Sequence, residues 1–258
     1  MTRAAGALGS AMPATPAWPP DSTPRLFVEA PIVPGERRID GPQAHYLVAV
    51  MRLKPDAPVK LFDDDTGEWL GIARHVGKRD LIVDVTDRLR EREAVPDLWL
   101  CAAPIKKGRI DWVAEKACEL GVDRLLPVLT RRTIVDRLNL ERLRAHMIEA
   151  AEQCGRTALP SLDEPVKLAA LLRDWPAERV LFFADETGGA PALEAMRARP
   201  GPAAILVGPE GGFDPSEREA IRAHPQAVGI ALGPRILRAE TAAAAAVALW
   251  MAAAGDWR

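Results

Sequence analysis

The sequence predicts an α/β protein with a parallel sheet in its C-terminal part and a smaller all-β unit before it. The parallel sheet is predicted by two copies of one arrangement within residues 203–251: a short apolar run, a glycine-bearing turn and a helix. The all-β unit is predicted by several short strand-like runs within residues 24–90, separated by turn residues. A length of 258 residues accommodates both.

The N-terminal part divides into an extension and the β unit. Residues 1–23 are rich in alanine and proline and contain no apolar run of signal-peptide length, so we expect a disordered extension. A short helix is expected from Gly41 to about Met51. Strands are predicted in RLFVEA, VKLFD, EWLGIARHV and LIVDVTDRL. Their lengths and spacing indicate a small barrel over residues 24–90.

A charged stretch at residues 87–97, stopped by Pro96, is the predicted linker. Beyond it, five parallel strands are predicted at residues 98–104, 123–128, 180–184, 203–207 and 228–232. Helices are predicted in KKGRIDWVAEKACELG, from about Leu140 to Cys154, from Pro215, and in an alanine-rich run that ends near Gly255. The small side chains of the last helix indicate close backbone packing. Asp214 and Glu217 predict an N-cap and a capping box at the start of the third.

The two glycine turns, residues 208–212 and 233–238, are expected to line one pocket, because ligands of parallel sheets bind at the carboxyl ends of the strands. Neither turn contains GxGxxG or GxxxxGK[ST], which argues against a phosphate cradle. The acidic Glu210 favours a ligand that carries positive charge and accepts backbone hydrogen bonds. S-adenosylmethionine is such a ligand, although residue types alone do not select it.

Composition limits the other functions. The net charge of −2 argues against a protein covered in basic residues, but residues 98–160 carry 11 basic and 8 acidic side chains, so we expect a local basic patch for RNA. Three widely spaced cysteines without a CxxC pair predict reduced thiols in a cytoplasmic protein. Four scattered histidines without HExxH predict no metal site, and no segment has the character of a membrane span.

The segments VGPEGGF (207–213) and LGPRILRAETA (232–242) closely resemble the two C-terminal signature motifs of the RsmE family, bacterial enzymes that methylate N3 of a uridine in small-subunit ribosomal RNA. HYLVAVMRL, EKACELGV, the run Thr130–Thr133 and EAAEQCGR are similar to further segments of that family. The resemblance implies a SPOUT-type parallel sheet over residues 97–255 with a C-terminal trefoil knot. It also implies a PUA-like RNA-binding barrel over residues 24–90.

The function implied by the resemblance is methylation of N3 of a specific uridine in 16S ribosomal RNA, with S-adenosylmethionine as the methyl donor and no metal. The implied partner is 16S rRNA or the small subunit, with no membrane, and the implied assembly is a homodimer with its active site near the subunit interface. Two alternatives stay open: an RNA ribose 2′-O-methyltransferase of the same superfamily, and a noncatalytic RNA-binding assembly factor. A nucleotide-dependent oxidoreductase fits less well, because the loop motifs do not match.

Arg238 is the predicted catalytic cation. Uracil N3 becomes a good nucleophile as its proton leaves, and the resulting negative charge spreads onto the flanking carbonyl oxygens, where a fixed cation stabilises it. An arginine stays protonated and is a poor base. Alternatively, Arg238 forms a structural pair with Glu240 or Glu210, while Arg235 shares the loop. Glu240 either accepts the proton or caps the helix with Thr241.

The remaining site residues fall into two groups. The donor is expected to contact mainly backbone groups of the two turns, and the donor-binding candidates are Glu186, Gly208, Pro209, Glu210, Gly211, Leu232, Gly233, Ile236, Leu237 and Thr241. RNA contacts are expected from Arg52, Lys106, Lys107, Arg131, Arg132 and Arg156. Simpler interpretations stay open for these cations, a solvated surface for the first three and capping of a helix for Arg156.

Overall fold

A computed structural model describes residues 19, 22–77, 80–135 and 137–257. The extension expected over residues 1–23 therefore lies almost entirely outside the described residues. The chain forms two compact units. The first contains the described residues of Met1–Leu26, together with Val33–Lys60 and Leu70–Asp87. The second contains Phe27–Ile32, Leu61–Trp69 and the chain from Arg88 onward.

The N-terminal sheet has five strands. The elements are β1 Arg25–Phe27, β2 Gly35–Asp40, α1 Gly41–His45, a π-helical turn Tyr46–Val50, β3 Pro58–Phe62, β4 Glu68–Val76 and β5 Asp80–Arg90. The strand order is β1-β3-β4-β5-β2, and β2 pairs antiparallel with β5. The predicted all-β unit is thus confirmed.

Alternation of buried and exposed side chains identified most strands of this sheet. In β5 the side chains of Leu81, Val83 and Val85 are buried and their neighbours are not. Gly71 in β4 lies against this layer, and a Cβ there would come 2.3 Å from a methyl of Val83. In β2 only Ile39 is buried, so this strand shows no apolar alternation and was not predicted.

The second unit is a three-layer α/β domain. Its elements are β6 Leu98–Ala102, α2 Arg109–Glu119, β7 Arg124–Leu129, α3 Leu140–Cys154, β8 Ser161–Leu162, β9 Val166–Lys167, α4 Leu168–Arg173, β10 Val180–Ala184, β11 Ala190–Pro191, α5 Ala192–Arg197, β12 Ala203–Val207, α6 Pro215–Ala223, β13 Ala227–Ala231 and α7 Ala239–Ala253. The order along the sheet is β11-β13-β10-β12-β6-β7-β8, with β9 paired to β7.

All strand pairs of this sheet are parallel within the described residues. The five predicted strands correspond to β6, β7, β10, β12 and β13, and the predicted parallel α/β sheet is confirmed. The strands β8, β9 and β11 have two residues each, and so few residues show no periodicity.

The core lies on both faces of the sheet. All five residues of β12 are buried, and successive residues enter different clusters: Ile205 packs with the residues beneath α2, α3 and α7, whereas Leu206 packs with those beneath α4 and α6. A strand covered on both sides reads as a continuous apolar run, as the sequence shows at residues 203–207.

The small side chains of α7 permit its close packing. Ala242, Ala243 and Ala246 are buried, and Trp250 and Met251 fill the space near the end of the helix. Gly121 accommodates this end, because a Cβ there would lie 3.3 Å from the terminal methyl of Met251. Among the described residues, no helix combines the length and apolar character that crossing a bilayer requires.

Candidate functional site

Three bends meet at one edge of the parallel sheet. The strand β10 lies between β12 and β13, and the register pairs Phe183 with both Leu206 and Gly229. The chain therefore leaves all three strands at the same edge, into the β10 bend (residues 185–189), the β12 bend (208–214) and the β13 bend (232–238). Neighbouring strands lie about 4.8 Å apart, so the outer two bends begin roughly 10 Å from each other.

The β12 bend is closed at its base and anchored at its end. The amide of Gly212 donates to the carbonyl of Pro209 at 2.8 Å, and Gly212 has a φ of +66°, which favours glycine. Phe213 is 1% exposed and packs against Gly208. The predicted capping box of Asp214 and Glu217 is present at the start of α6 and fixes where the bend ends.

Two predicted RNA-binding arginines contact the β12 bend. Arg132 Nη1 donates to the carbonyl oxygen of Gly211 at 2.7 Å. Arg131 donates its backbone N–H to Glu217 Oε1 at 2.8 Å, and its guanidinium lies 3.5 Å from Asp214. Both arginines are exposed. Hydrogen bonds from Ser216, with a smaller contribution from Arg131, hold the pKa of Asp214 below its ordinary value.

The β10 bend contains a buried carboxylate. Asp185 accepts hydrogen bonds from the backbone N–H and hydroxyl of Thr187 at 3.0 and 2.8 Å, and from Arg222 at 3.0 and 2.5 Å. Burial opposes ionisation, but the hydrogen bonds from Thr187 and Arg222 outweigh it and lower the pKa of Asp185. This carboxylate therefore stays ionised and joins the β10 bend to α6.

Glu186 is predicted to bind the donor and also faces α6. It pairs with Arg218, and a Cβ on Gly212 would lie 2.7 Å from its carboxylate, so the β10 and β12 bends approach closely. Arg218 and Arg222 are four residues apart and share one face of α6. The spacing of these two arginines is visible in the sequence. It does not show that they pair with Asp185 and Glu186, because those residues belong to a distant segment of the chain.

The β13 bend presents most of its candidates at the surface. Gly233 has a φ of +102°, and Ile236 is 81% exposed. Leu232 and Leu237 are half-buried. Arg238 is the N-cap residue of α7, and its carbonyl accepts from the N–H of Ala242 at 2.8 Å. Its guanidinium forms no hydrogen bond or ion pair with any described residue.

Arg109 connects the β12 bend to the start of α7. Its Nη1 lies 3.4 Å from Glu210 Oε1, and its Nε lies 3.6 Å from Glu240 Oε1. The sequence places this arginine with Lys106 and Lys107 after a strand, where contact with RNA phosphate is expected, but it does not predict the contacts with the two carboxylates. The guanidinium of Arg238 contacts neither carboxylate among the described residues, so the alternative in which it forms a structural pair with one of them is not found there.

The carboxylate of Glu240 is largely enclosed. Its side chain is 14% exposed, and Oε2 has no hydrogen-bond partner among the described residues. Among the described residues, no side-chain hydrogen bond from Glu240 or the exposed Thr241 caps the start of α7. Glu240 also lines a shallow depression between α2 and α7, together with Trp112, Lys116 and Ala244.

The other predicted RNA-binding residues are placed as follows. Arg52 is exposed in the first unit, in a left-handed conformation with a φ of 55°. Lys106 and Lys107 are exposed just before α2. Arg156 is only 5% exposed and donates to the carbonyl oxygens of Cys118 and Val122, both at 2.7 Å.

The prediction that Arg156 contacts RNA is therefore corrected. Its guanidinium satisfies carbonyl groups at the end of α2 and just beyond it, a common role for arginine near a helix C-terminus. Burial lowers its pKa, but an arginine remains charged at any ordinary pH. The alternative interpretation, that Arg156 only satisfies neighbouring groups, fits these contacts, although the carbonyls lie in and after α2 and not in α3, the helix it was expected to cap.

No cluster of potential metal ligands is found at this edge among the described residues. Within residues 22–77, 80–135 and 137–257, no three His, Cys, Asp or Glu side chains come together as a metal ion would require. The cysteines Cys101 and Cys118 are buried thiols, and burial raises the pKa of Cys101 to about 12.

Comparison with protein families gives two matches. A family model described as an RNA methyltransferase domain matches residues 91–251, and one described as an RNA methyltransferase PUA domain matches residues 39–86. Ribosomal RNA small subunit methyltransferase E of Rickettsia conorii is 31% identical over 207 residues, which are 79% of this chain and 84% of that protein. The Bacillus subtilis protein of the same name is 28% identical over 218 residues, 79% of this chain and 85% of that protein.

Solved structures give the same picture. A methyltransferase from Legionella pneumophila, solved with S-adenosylmethionine bound, superposes with a TM-score of 0.81 at 28% identity and covers 91% of this chain and 99% of its own. Ribosomal RNA small subunit methyltransferase E from Neisseria gonorrhoeae, also bound to S-adenosylmethionine, superposes with a TM-score of 0.81 at 26% identity and covers 92% and 100%.

Replacing Asp185 by asparagine is expected to destabilise the protein by about 1–3 kcal/mol at neutral pH, because the buried hydrogen bonds from Thr187 and Arg222 lose their charged acceptor. The pKa of Asp185 is lowered on folding, so its stabilising effect is present above the ordinary value of 3.8 and is lost as the pH falls below it. Urea unfolding measured across this range should show the wild type and Asp185→Asn converging in acid.

The matched control is Asp174→Asn. Asp174 is exposed and pairs only with Arg173 among the described residues, so its replacement should leave the free energy of unfolding unchanged. Equal stability of Asp185→Asn and the wild type at neutral pH would contradict the role assigned to the buried carboxylate.

Proposed function

The chain belongs to the ribosomal RNA small subunit methyltransferase E family, and we propose that it transfers the methyl group of S-adenosylmethionine to N3 of a uridine in 16S ribosomal RNA. The observation that carries this proposal is that the β12 bend and the start of α7, which belong to the two signature motifs, both contact one arginine, Arg109. Both bends lie where parallel sheets bind ligands.

The methyl donor is proposed to bind between the three bends. Its adenine and methionine parts would contact backbone groups of Gly208, Pro209, Glu210, Gly211, Leu232, Gly233, Ile236 and Leu237, with Glu186 and Thr241 at the edges. The carboxylates of Glu186, Glu210 and Glu240 lie beside this edge, each paired with an arginine, and are the proposed partners of the sulfonium and ammonium charges. When bound, S-adenosylmethionine supplies an electrophilic methyl carbon on a good leaving group.

The reaction requires an ionised uracil. As the proton leaves N3, an electron pair of the nitrogen forms the bond to the methyl carbon. The electrons of the broken carbon–sulfur bond remain on the sulfur. The protein's contribution is alignment, which can lower such a barrier by roughly 7 to 11 kcal/mol, and stabilisation of the uracil anion.

Arg238 is the proposed source of that stabilisation. Its guanidinium is exposed and unengaged by described residues, so no ion pair has to be broken before it contacts the uracil oxygens. Glu240 is the proposed proton acceptor, because its Oε2 lies near the same helix start without a hydrogen-bond donor among the described residues. Since N3 lies on the Watson–Crick edge, the target uridine must be unpaired or extruded.

Lys106, Lys107, Arg131 and Arg132 are the proposed RNA contacts of the second unit, and Arg52 is the proposed RNA contact of the first. The basic excess of residues 98–160 supports this assignment.

Residues 24–90 are proposed to be the PUA-like RNA-binding domain and residues 97–255 the SPOUT domain, with a trefoil knot formed by the C-terminal segment. A cytoplasmic location is part of the same proposal, because ribosomal RNA is the substrate.

A homodimer with its active site near the interface is the proposed assembly. Apolar side chains are exposed beside the site: Trp112 on α2 is 38% exposed, and Ile236 in the β13 bend is 81% exposed. Trp112 and the proposed proton acceptor, Glu240, line the same depression between α2 and α7. A second subunit seated there would cover the tryptophan and enclose the carboxylate.

The wild-type protein is expected to bind S-adenosylmethionine in calorimetry and to convert uridine in 16S rRNA to 3-methyluridine, identified by nucleoside analysis after digestion. A ribose-methylated product would overturn the N3 assignment in favour of a 2′-O-methyltransferase. Failure to bind S-adenosylmethionine would favour a noncatalytic RNA-binding factor.

Replacing Arg238 by alanine should reduce the turnover number about 10²- to 10³-fold, the range typical for losing one group that stabilises a developing anion. The affinity for S-adenosylmethionine should stay nearly the same, because the donor is held by backbone groups. Arg238→Lys should recover part of the rate, since it keeps the charge but not the planar fork. Arg173→Ala removes an exposed arginine elsewhere and is the control. Full activity of Arg238→Ala would refute the catalytic role.

The mass in solution at assay concentrations should be twice 28.0 kDa. Trp112→Glu should shift the protein toward the monomer, because it places a charge in the proposed apolar contact. Trp257→Glu changes another exposed tryptophan, 49% exposed beyond α7, and should leave the mass unchanged. A monomeric wild type in sedimentation or light scattering would contradict the proposed assembly.

A further inference from the structure

Arg109 occupies an unusual position at the first residue of α2. A cation at a helix N-terminus is mildly unfavourable, because the helix dipole is positive there. The guanidinium is compensated by two carboxylates from distant parts of the chain, Glu210 at 3.4 Å and Glu240 at 3.6 Å. Because one guanidinium contacts both, its removal would leave two like charges close together.

The helix that carries Arg109 is firmly held. Asp111 accepts a hydrogen bond from the backbone N–H of Gly108 at 3.1 Å and another from Arg142 Nε at 3.0 Å, which ties the start of α2 to α3. Ile110 and Val113 are buried in the core. Arg109 therefore projects from a rigid element toward two segments that are loops or begin at a loop.

We propose that Arg109 is a positioning residue that sets the spacing between the β12 bend and the start of α7, and thereby the shape of the donor site. It acts through Glu210 and Glu240 and does not itself take part in methyl transfer. The identity of the ligand rests on the proposed function, but the bridge exists without ligand. Arg109 thus connects the two signature motifs, although it belongs to neither of them.

The first test is binding of S-adenosylmethionine to Arg109→Ala by calorimetry. The Kd should rise roughly fivefold, which is the size expected for losing two partly exposed ion pairs. The KM for the donor should rise in parallel with the Kd. Arg109→Lys should show a smaller rise in Kd than Arg109→Ala. A lysine keeps the positive charge, but its ammonium group does not contact two carboxylates at once as the guanidinium does.

The second test needs no ligand. Hydrogen exchange measured by mass spectrometry should be faster in Arg109→Ala than in the wild type for peptides covering residues 208–213 and 232–242, and unchanged for the β10 strand at residues 180–184. Arg173→Ala, which loses an exposed guanidinium paired with Asp174, should match the wild type throughout.

A double variant separates this role from general damage to the fold. In a Glu210→Gln background one of the two carboxylates is already neutral, so adding Arg109→Ala should raise the Kd for S-adenosylmethionine by a smaller factor than it does in the wild type. An equal factor in both backgrounds would show that Arg109 does not act through Glu210 and would overturn the proposal.

Other outcomes are equally decisive. Unchanged exchange together with an unchanged donor Kd and a raised KM for RNA would make Arg109 an RNA contact and overturn the positioning role. If the wild type fails to bind S-adenosylmethionine, the proposed function fails, and the exchange comparison still decides whether Arg109 holds the two segments.

Discussion

The candidate site depends on the parallel pairing of β10 with β12 on one side and β13 on the other. Parallel strands leave the sheet at the same edge, so this pairing brings together segments whose first residues are 23 and 24 positions apart in the chain. The backbone ladder fixes only where each bend begins. The course of the chain beyond the strand ends is then determined by side chains, and arginines make most of the connections.

These connections follow one pattern. Arg222 reaches Asp185 in the β10 bend, Arg132 reaches a carbonyl of the β12 bend, and Arg109 reaches the β12 bend and the start of α7. Arginine suits such positions because its planar fork contacts two acceptors at once. Polar links of this kind let the bends keep their backbone groups exposed to a ligand, which an apolar core in the same place would cover.

Much of the fold was predictable because its signals are local. The five central strands are continuous apolar runs, α6 carries its capping box in Asp214 and Glu217, and α3 begins after Asn139, whose side chain caps it. The strand β2 and the two-residue strands were missed, because pairing to neighbours defines them more than periodicity does. The β12 and β13 bends were identified from glycine turns and motifs, but Arg109 and Asp185 required knowledge of which segments meet. For Arg156 the sequence predicted an RNA contact that the structure does not support. The neighbouring residues in the chain do not distinguish an exposed arginine from one that donates to buried carbonyls.

The order of the site's parts along the chain has a consequence for its synthesis. The β12 bend is complete once residue 214 has left the ribosome, but Arg238 and Glu240 follow β13, and their helix extends to Ala253. A nascent polypeptide that lacks these residues contains the β12 bend but not the start of α7, which lies opposite it in the proposed site. Prematurely terminated products that stop within this region lack the proposed catalytic residues, so the proposed site is complete only late in translation.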